Sequence, residues 1–94
     1  MPAIGVLTLE IHVEHSHSLK EKRHVVTSLK DRLRERFNVS VAEIDYQDSW
    51  QHSVVAAVTV SNDRVRAEQI LHAAEAHAAA ILGGALAASS LEWI

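Results

Sequence analysis

The sequence predicts an α+β fold in which two helices pack on one face of a four-stranded antiparallel sheet. Three observations carry this. Apolar positions recur alternately with a period of two and with helical spacing, in the order β-α-β-β-α-β. Each helical stretch is bounded by its own start and stop signals. The six elements use up the 94 residues as one domain, 1–94, without linker, internal repeat or low-complexity segment.

Residues 3–14 read as the first strand. Leu7, Leu9, Ile11 and Val13 alternate with Thr8, Glu10, His12 and Glu14, so one face is buried and the other wet. Ile4 and Val6 fall in the opposite phase, and Gly5 between them marks either a bulge or a later strand start. His15–His17 form the loop into the first helix, which runs from about residue 18 to 37. Ser18 is its N-cap, and Glu21 completes a capping box by reaching back to the amide of Ser18. Leu19, Val26, Leu29, Leu33 and Phe37 share one face, and Lys20, Arg23, Thr27, Lys30 and Arg34 lie roughly opposite. Asn38 ends the helix by tolerating a left-handed conformation.

A second strand follows, through about Tyr46, then a polar turn at Gln47–Ser49, then a third strand to about Val60. Val54, Ala56, Val58 and Val60 alternate there with Val55, Ala57 and Thr59. Both rows are apolar, so this strand is central. The short connection pairs strands two and three as a hairpin. Ser61–Asp63 cap a second helix over about 63–82, with Ala67, Ile70, Leu71, Ala74, Ala78 and Ile81 on one face. Its alanines predict a close approach to the first helix. Gly83-Gly84 stops it, and residues 85–93 form the last strand. With right-handed crossovers this is the ferredoxin-like, split-βαβ arrangement, with strands one and three central.

Net charge is −3 but unevenly spread. Residues 18–37 hold seven basic and three acidic residues, a local +4. The remainder holds two basic and nine acidic residues, −7. There is no cysteine, which excludes disulfides and thiolate metal sites. No apolar run is long enough to span a membrane, and the start lacks a signal-peptide pattern, so a cytoplasmic location is the expectation.

Catalysis has little to work with. There is no G-x-S-x-G elbow and no Gly-rich phosphate cradle, and the first loop, EHSHSLKEKR, lacks the glycines of the acylphosphatase anion loop. Glu43, Asp45 and Asp48 read as a polar hairpin rather than a catalytic carboxylate pair. No enzyme activity, cofactor or small-molecule substrate is expected. His12, Glu14, His15 and His17 carry ligand atoms for zinc or nickel, but a strand end and a loop lack convergent geometry, so no metal site is expected.

The stretches HSLKEKR (His17–Arg23), FNVSVAE (Phe37–Glu43), Trp50-Gln51 and VSND (Val60–Asp63) stand in an order and spacing that resemble the YlxP-like family of small bacterial proteins. The resemblance spans nearly the whole chain and implies the ferredoxin-like fold. That family has unknown function, with no established catalytic residue or cofactor. Its genes often neighbour those for ribosome-binding factor A and tRNA pseudouridine synthase B, which implies a link to ribosome or RNA biology. The histidine-rich flank departs from the family pattern.

Two functional expectations follow. The first is a non-enzymatic accessory factor that binds RNA or a ribosomal particle through Lys20, Lys22, Arg23, Lys30 and Arg34 of the first helix. The sheet face usual for this fold's RNA-binding modules would here present Glu10 and Glu14, and the RNP1 pattern is absent. Lys22 is the odd member, because its helical phase lies on the core side. It is read as a snorkelling stem or as a partner of Glu10 or Glu14. The alternative is a homo-oligomeric interaction module without a nucleic-acid role, associating through Val55, Ala57 and Thr59 on an open sheet face or through an edge strand.

Overall fold

A computed structural model describes all of residues 1–94. The elements are β1 (Ala3–His12), α1 (Leu19–Arg36), β2 (Ser40–Asp45), β3 (His52–Ser61), α2 (Arg64–Leu82), a 3-10 turn at Gly83–Ala85, and β4 (Leu86–Trp93). The sheet is antiparallel with order β2-β3-β1-β4, so β1 and β3 are central and β2 and β4 are the edges. Both helices cover the same face, α1 mainly over β2 and α2 mainly over β1 and β3. No helix is long and apolar enough to cross a membrane.

The core lies between that face and the helices. Leu7, Leu9 and Ile11 of β1 meet Val26, Leu29 and Leu33 of α1 and Leu71, Ala74 and Ala78 of α2. The alanines of α2 were expected against α1, but α2 packs chiefly on the two central strands. Small side chains there let the helix sit low on the sheet. Gly5 makes the closest approach, because a Cβ built on it would lie 2.5 Å from Leu71 Cδ1 and 3.0 Å from the Trp93 ring. It therefore marks neither a bulge nor a late start. β1 is continuous from Ala3, with Gly5 in phase with Leu7.

The bulges lie in the edge strands. The β1–β4 register shifts between Glu10 and Ile11, which pair with Ala88 and Leu86, so Ala87 is the extra residue. That is why the β4 sequence alternates poorly. In β2 the shift falls between Glu43 and Asp45.

The caps differ in detail from the sequence reading. Ser18 Oγ accepts from the amide of Glu21 at 3.1 Å, as expected, but the Glu21 carboxylate takes the amide of His17, at 2.8 Å, instead of that of Ser18. α1 ends when Phe37 turns extended, at φ −127°, with its amide still donating to Leu33. Asn38 is not left-handed, because Tyr46 is the only non-glycine residue with positive φ. The Asn38 carbonyl instead accepts from Thr59 Oγ1 at 2.8 Å, which ties the α1–β2 loop to β3. At α2, Asp63 Oδ1 accepts from the amide of Val65, and Gly83 at φ 55° makes the stop.

Candidate functional site

The helical phase of Lys22 puts its stem in the core, and the structure keeps it there. The side chain is fully buried. Its Nζ donates to the carbonyls of Tyr46 (2.7 Å), His52 (3.2 Å) and Gln47 (3.3 Å) and to Glu43 Oε2 (3.1 Å). Three ammonium protons thus serve four acceptors. The same Glu43 oxygen accepts from Ser53 Oγ at 2.5 Å. Tyr46, at φ 61°, takes a conformation uncommon for a residue with a side chain, and its carbonyl is the nearest of the four acceptors. Lys22 therefore occupies a carbonyl cage much as a bound cation would, and fastens the β2–β3 loop to the first turns of α1.

This corrects two expectations. Lys22 neither snorkels to water nor pairs with Glu10 or Glu14, and its buried ammonium is not available to an external anion. A sequence signal for the pairing existed. Lys22 stands in the core phase of α1, and Glu43 stands in the core phase of β2 with Val41. Two opposite charges at core positions mark a buried pair.

The other basic residues of α1 separate into two groups. Arg34 is half-exposed and committed to the fold. Its Nη2 donates to the Val41 carbonyl of edge strand β2 at 2.7 Å, and its Nη1 lies 3.7 Å from Asp31. Lys20, Arg23, Lys30, Arg32 and Arg36 have no carboxylate within ion-pair distance. Lys30 is half-buried and the other four are exposed. Lys20, Arg23 and Lys30 share a flank of α1 with Arg34, on the β2 side. Arg32 and Arg36 line a shallow recess with Glu35 and His77, on the α2 side.

The residues expected on the open sheet face are not there. Val55, Ala57 and Thr59 are buried beneath the helices. Register explains it. Val55 lies opposite Leu9 and Ala57 opposite Leu7, and directly opposed residues of an antiparallel pair face the same side. The outward row of β3 is Val54, Ala56, Val58 and Val60.

At the far end of that face the imidazoles of His12 and His52 stack, with centroids 4.5 Å apart and planes within 9°. The Tyr46 ring lies 5.7 Å from His52. The sequence reading missed this grouping because His12 and His52 become neighbours only through the β1–β3 register. His15 and His17 are exposed on the loop, and no three His, Asp or Glu side chains converge as metal ligands.

Comparison with known proteins agrees with this architecture. Over 68 residues, 72% of this chain and 74% of the relative, the sequence is 41% identical to the uncharacterized protein YlxP of Bacillus subtilis (strain 168). Among solved structures it is similar to the de novo designed protein Foldit4, with a TM-score of 0.55 at 12% identity, covering 100% of this chain and 94% of that one. It is also similar to a de novo designed protein with a ferredoxin fold, with a TM-score of 0.50 at 11% identity, covering 100% and 84%. At such identities these likenesses speak to the fold alone. The model of the family described as "Protein of unknown function (DUF503)" matches residues 4–90, and the chain belongs to that family.

Proposed function

We propose that this protein is a non-catalytic accessory module that binds RNA through the solvent-facing side of α1. The observation that carries the reading is the flank of α1 formed by the unpaired cations Lys20, Arg23 and Lys30 on an acidic protein, with Arg32 and Arg36 also unpaired on the α2 side of the same helix. Surface cations near carboxylates commonly settle into helix-spaced pairs. Arg32 and Glu35 have that spacing and remain apart. Such a surface suits a phosphate backbone, where each neutralised phosphate releases counterions. It reads charge and shape and gives little sequence discrimination by itself. The open sheet face does not compete for the same ligand, because Glu10 and Glu92 stand on it.

The test is fluorescence anisotropy with labelled single-stranded and hairpin RNA over a salt series. Wild type should bind weakly, with affinity falling steeply as salt rises. Replacing Lys20, Arg23 and Lys30 together by Gln should lower the salt slope by about 2 units, at about 0.7 for each single-strand phosphate no longer neutralised. Arg34 is left out because it holds β2. Absence of binding by wild type at low salt, or an unchanged slope in the triple variant, would end the RNA reading.

A further inference from the structure

We propose that a second copy of this chain covers the open face of the sheet, in a contact separate from the α1 surface. A central strand with one wet face should alternate apolar and polar residues. β3 does not. Its outward row is Val54, Ala56, Val58 and Val60, and Val60 is 60% exposed. β1 adds Ile4 opposite Val60 and Val6 opposite Val58, and β2 adds Ala42 opposite Ala56. Ile44 of β2, 54% exposed, extends the patch. Thr8, Glu10, Ser90 and Glu92 line the β1–β4 side of this strip, and Ser40 of β2 stands opposite Val58. An apolar strip flanked by polar residues is a surface that protein interfaces use.

Shape and area select the occupant. Four strands about 4.8 Å apart and roughly 30 Å long make a face on the order of 500–600 Å². Two such faces together bury about 1,000–1,200 Å², the low end for a specific dimer. The centre is built from Val and Ala, so it is flat and offers no groove to a peptide and no slot for a bulky anchor. Flat twisted sheets pack well on one another, about 10 Å apart. A two-fold contact sets this apolar row against its own copy, so the surface complements itself. Nucleic acid is disfavoured there by Glu10 and Glu92.

Sedimentation velocity over roughly 1 to 300 µM should show a monomer–dimer equilibrium in the micromolar range. Val58→Glu should leave only monomer. Val58→Thr, which keeps the branched shape, should weaken dimerisation about tenfold. Circular dichroism and urea midpoints report whether each variant is folded. The chain has no cysteine, so single spin labels are clean. Labels at Ala56→Cys should lie closer together across the dimer than labels at Thr27→Cys on the outer side of α1. Three results would overturn the proposal: a wild type that stays monomeric at the highest concentration, a folded Val58→Thr variant that dimerises as tightly as wild type, or Ala56 labels farther apart than Thr27 labels.

Discussion

Replacing Lys22 by Met keeps the length of the stem and removes the ammonium. The apolar part of the side chain still fills its buried place on the core side of α1, one turn before Val26. What disappears is the donor to Glu43 and to the carbonyls of Tyr46, Gln47 and His52. Glu43 keeps the hydroxyl of Ser53 and is left as an uncompensated charge. Breaking one side of a buried ion pair costs about 3–5 kcal/mol. The Glu43 side chain is 14% exposed, so water can partly replace the ammonium, and the low end, about 3 kcal/mol, applies. For a domain of this size that lowers Tm by roughly 12–24 °C. Thermal and urea unfolding followed by circular dichroism measure it. The double variant Lys22→Met, Glu43→Gln removes both charges and should recover at least about 1 kcal/mol relative to the sum of the single variants. Hydrogen exchange should locate the damage in the β2–β3 loop, at the amides of Ser49 and His52, which now donate to Tyr46 O and Ser49 Oγ. A loss under about 1 kcal/mol, or strict additivity in the cycle, would refute the carbonyl cage as a determinant of stability.

Three further outcomes follow from packing. Gly5→Ala should cost about 1–3 kcal/mol in urea denaturation, because the new methyl meets Leu71 and Trp93 in a filled core. Leu29→Ala and Leu33→Ala should each cost about 2–5 kcal/mol in the same assay, since both side chains are fully buried. Arg34→Ala should cost only about 1 kcal/mol but uncover the Val41 carbonyl on the edge strand, raising light scattering on prolonged incubation relative to wild type.

Most of the fold was legible because its signals are local. Ser18, Asp63 and Gly83 mark helix ends through chemistry that acts within a few residues, and the apolar stripe of α1 matches its buried positions Val26, Leu29 and Leu33. The proposed surfaces were less legible because they depend on pairing across the fold. Arg34 looks like any other member of the cationic stripe until β2 brings the Val41 carbonyl beside it. Lys22 becomes a structural residue only once the hairpin folds its carbonyls inward. The free cations of α1 are therefore Lys20, Arg23, Lys30, Arg32 and Arg36, where the sequence pattern alone suggests Lys20, Lys22, Arg23, Lys30 and Arg34.

The phase of β3 shows the same limit most clearly. Its two rows are Ser53-Val55-Ala57-Thr59 and Val54-Ala56-Val58-Val60. Judged by hydropathy alone, the second belongs inside, since it has no polar member. The first goes inside because Val55 and Ala57 are locked opposite Leu9 and Leu7, and β1 alternates cleanly from Leu7 to Ile11. Burial of Ser53 and Thr59 is then tolerated because each hydroxyl finds an acceptor, Glu43 for one and the Asn38 carbonyl for the other. A one-residue slip of β3 would put the all-apolar row in the core, but it would strand Glu43 and Lys22 without the Ser53 hydroxyl and the His52 carbonyl. The polar contacts at the two ends of β3 thus hold a register that leaves its more apolar row facing outward. In the dimer proposed above, a second sheet laid against that row would recover the burial that the register gives up.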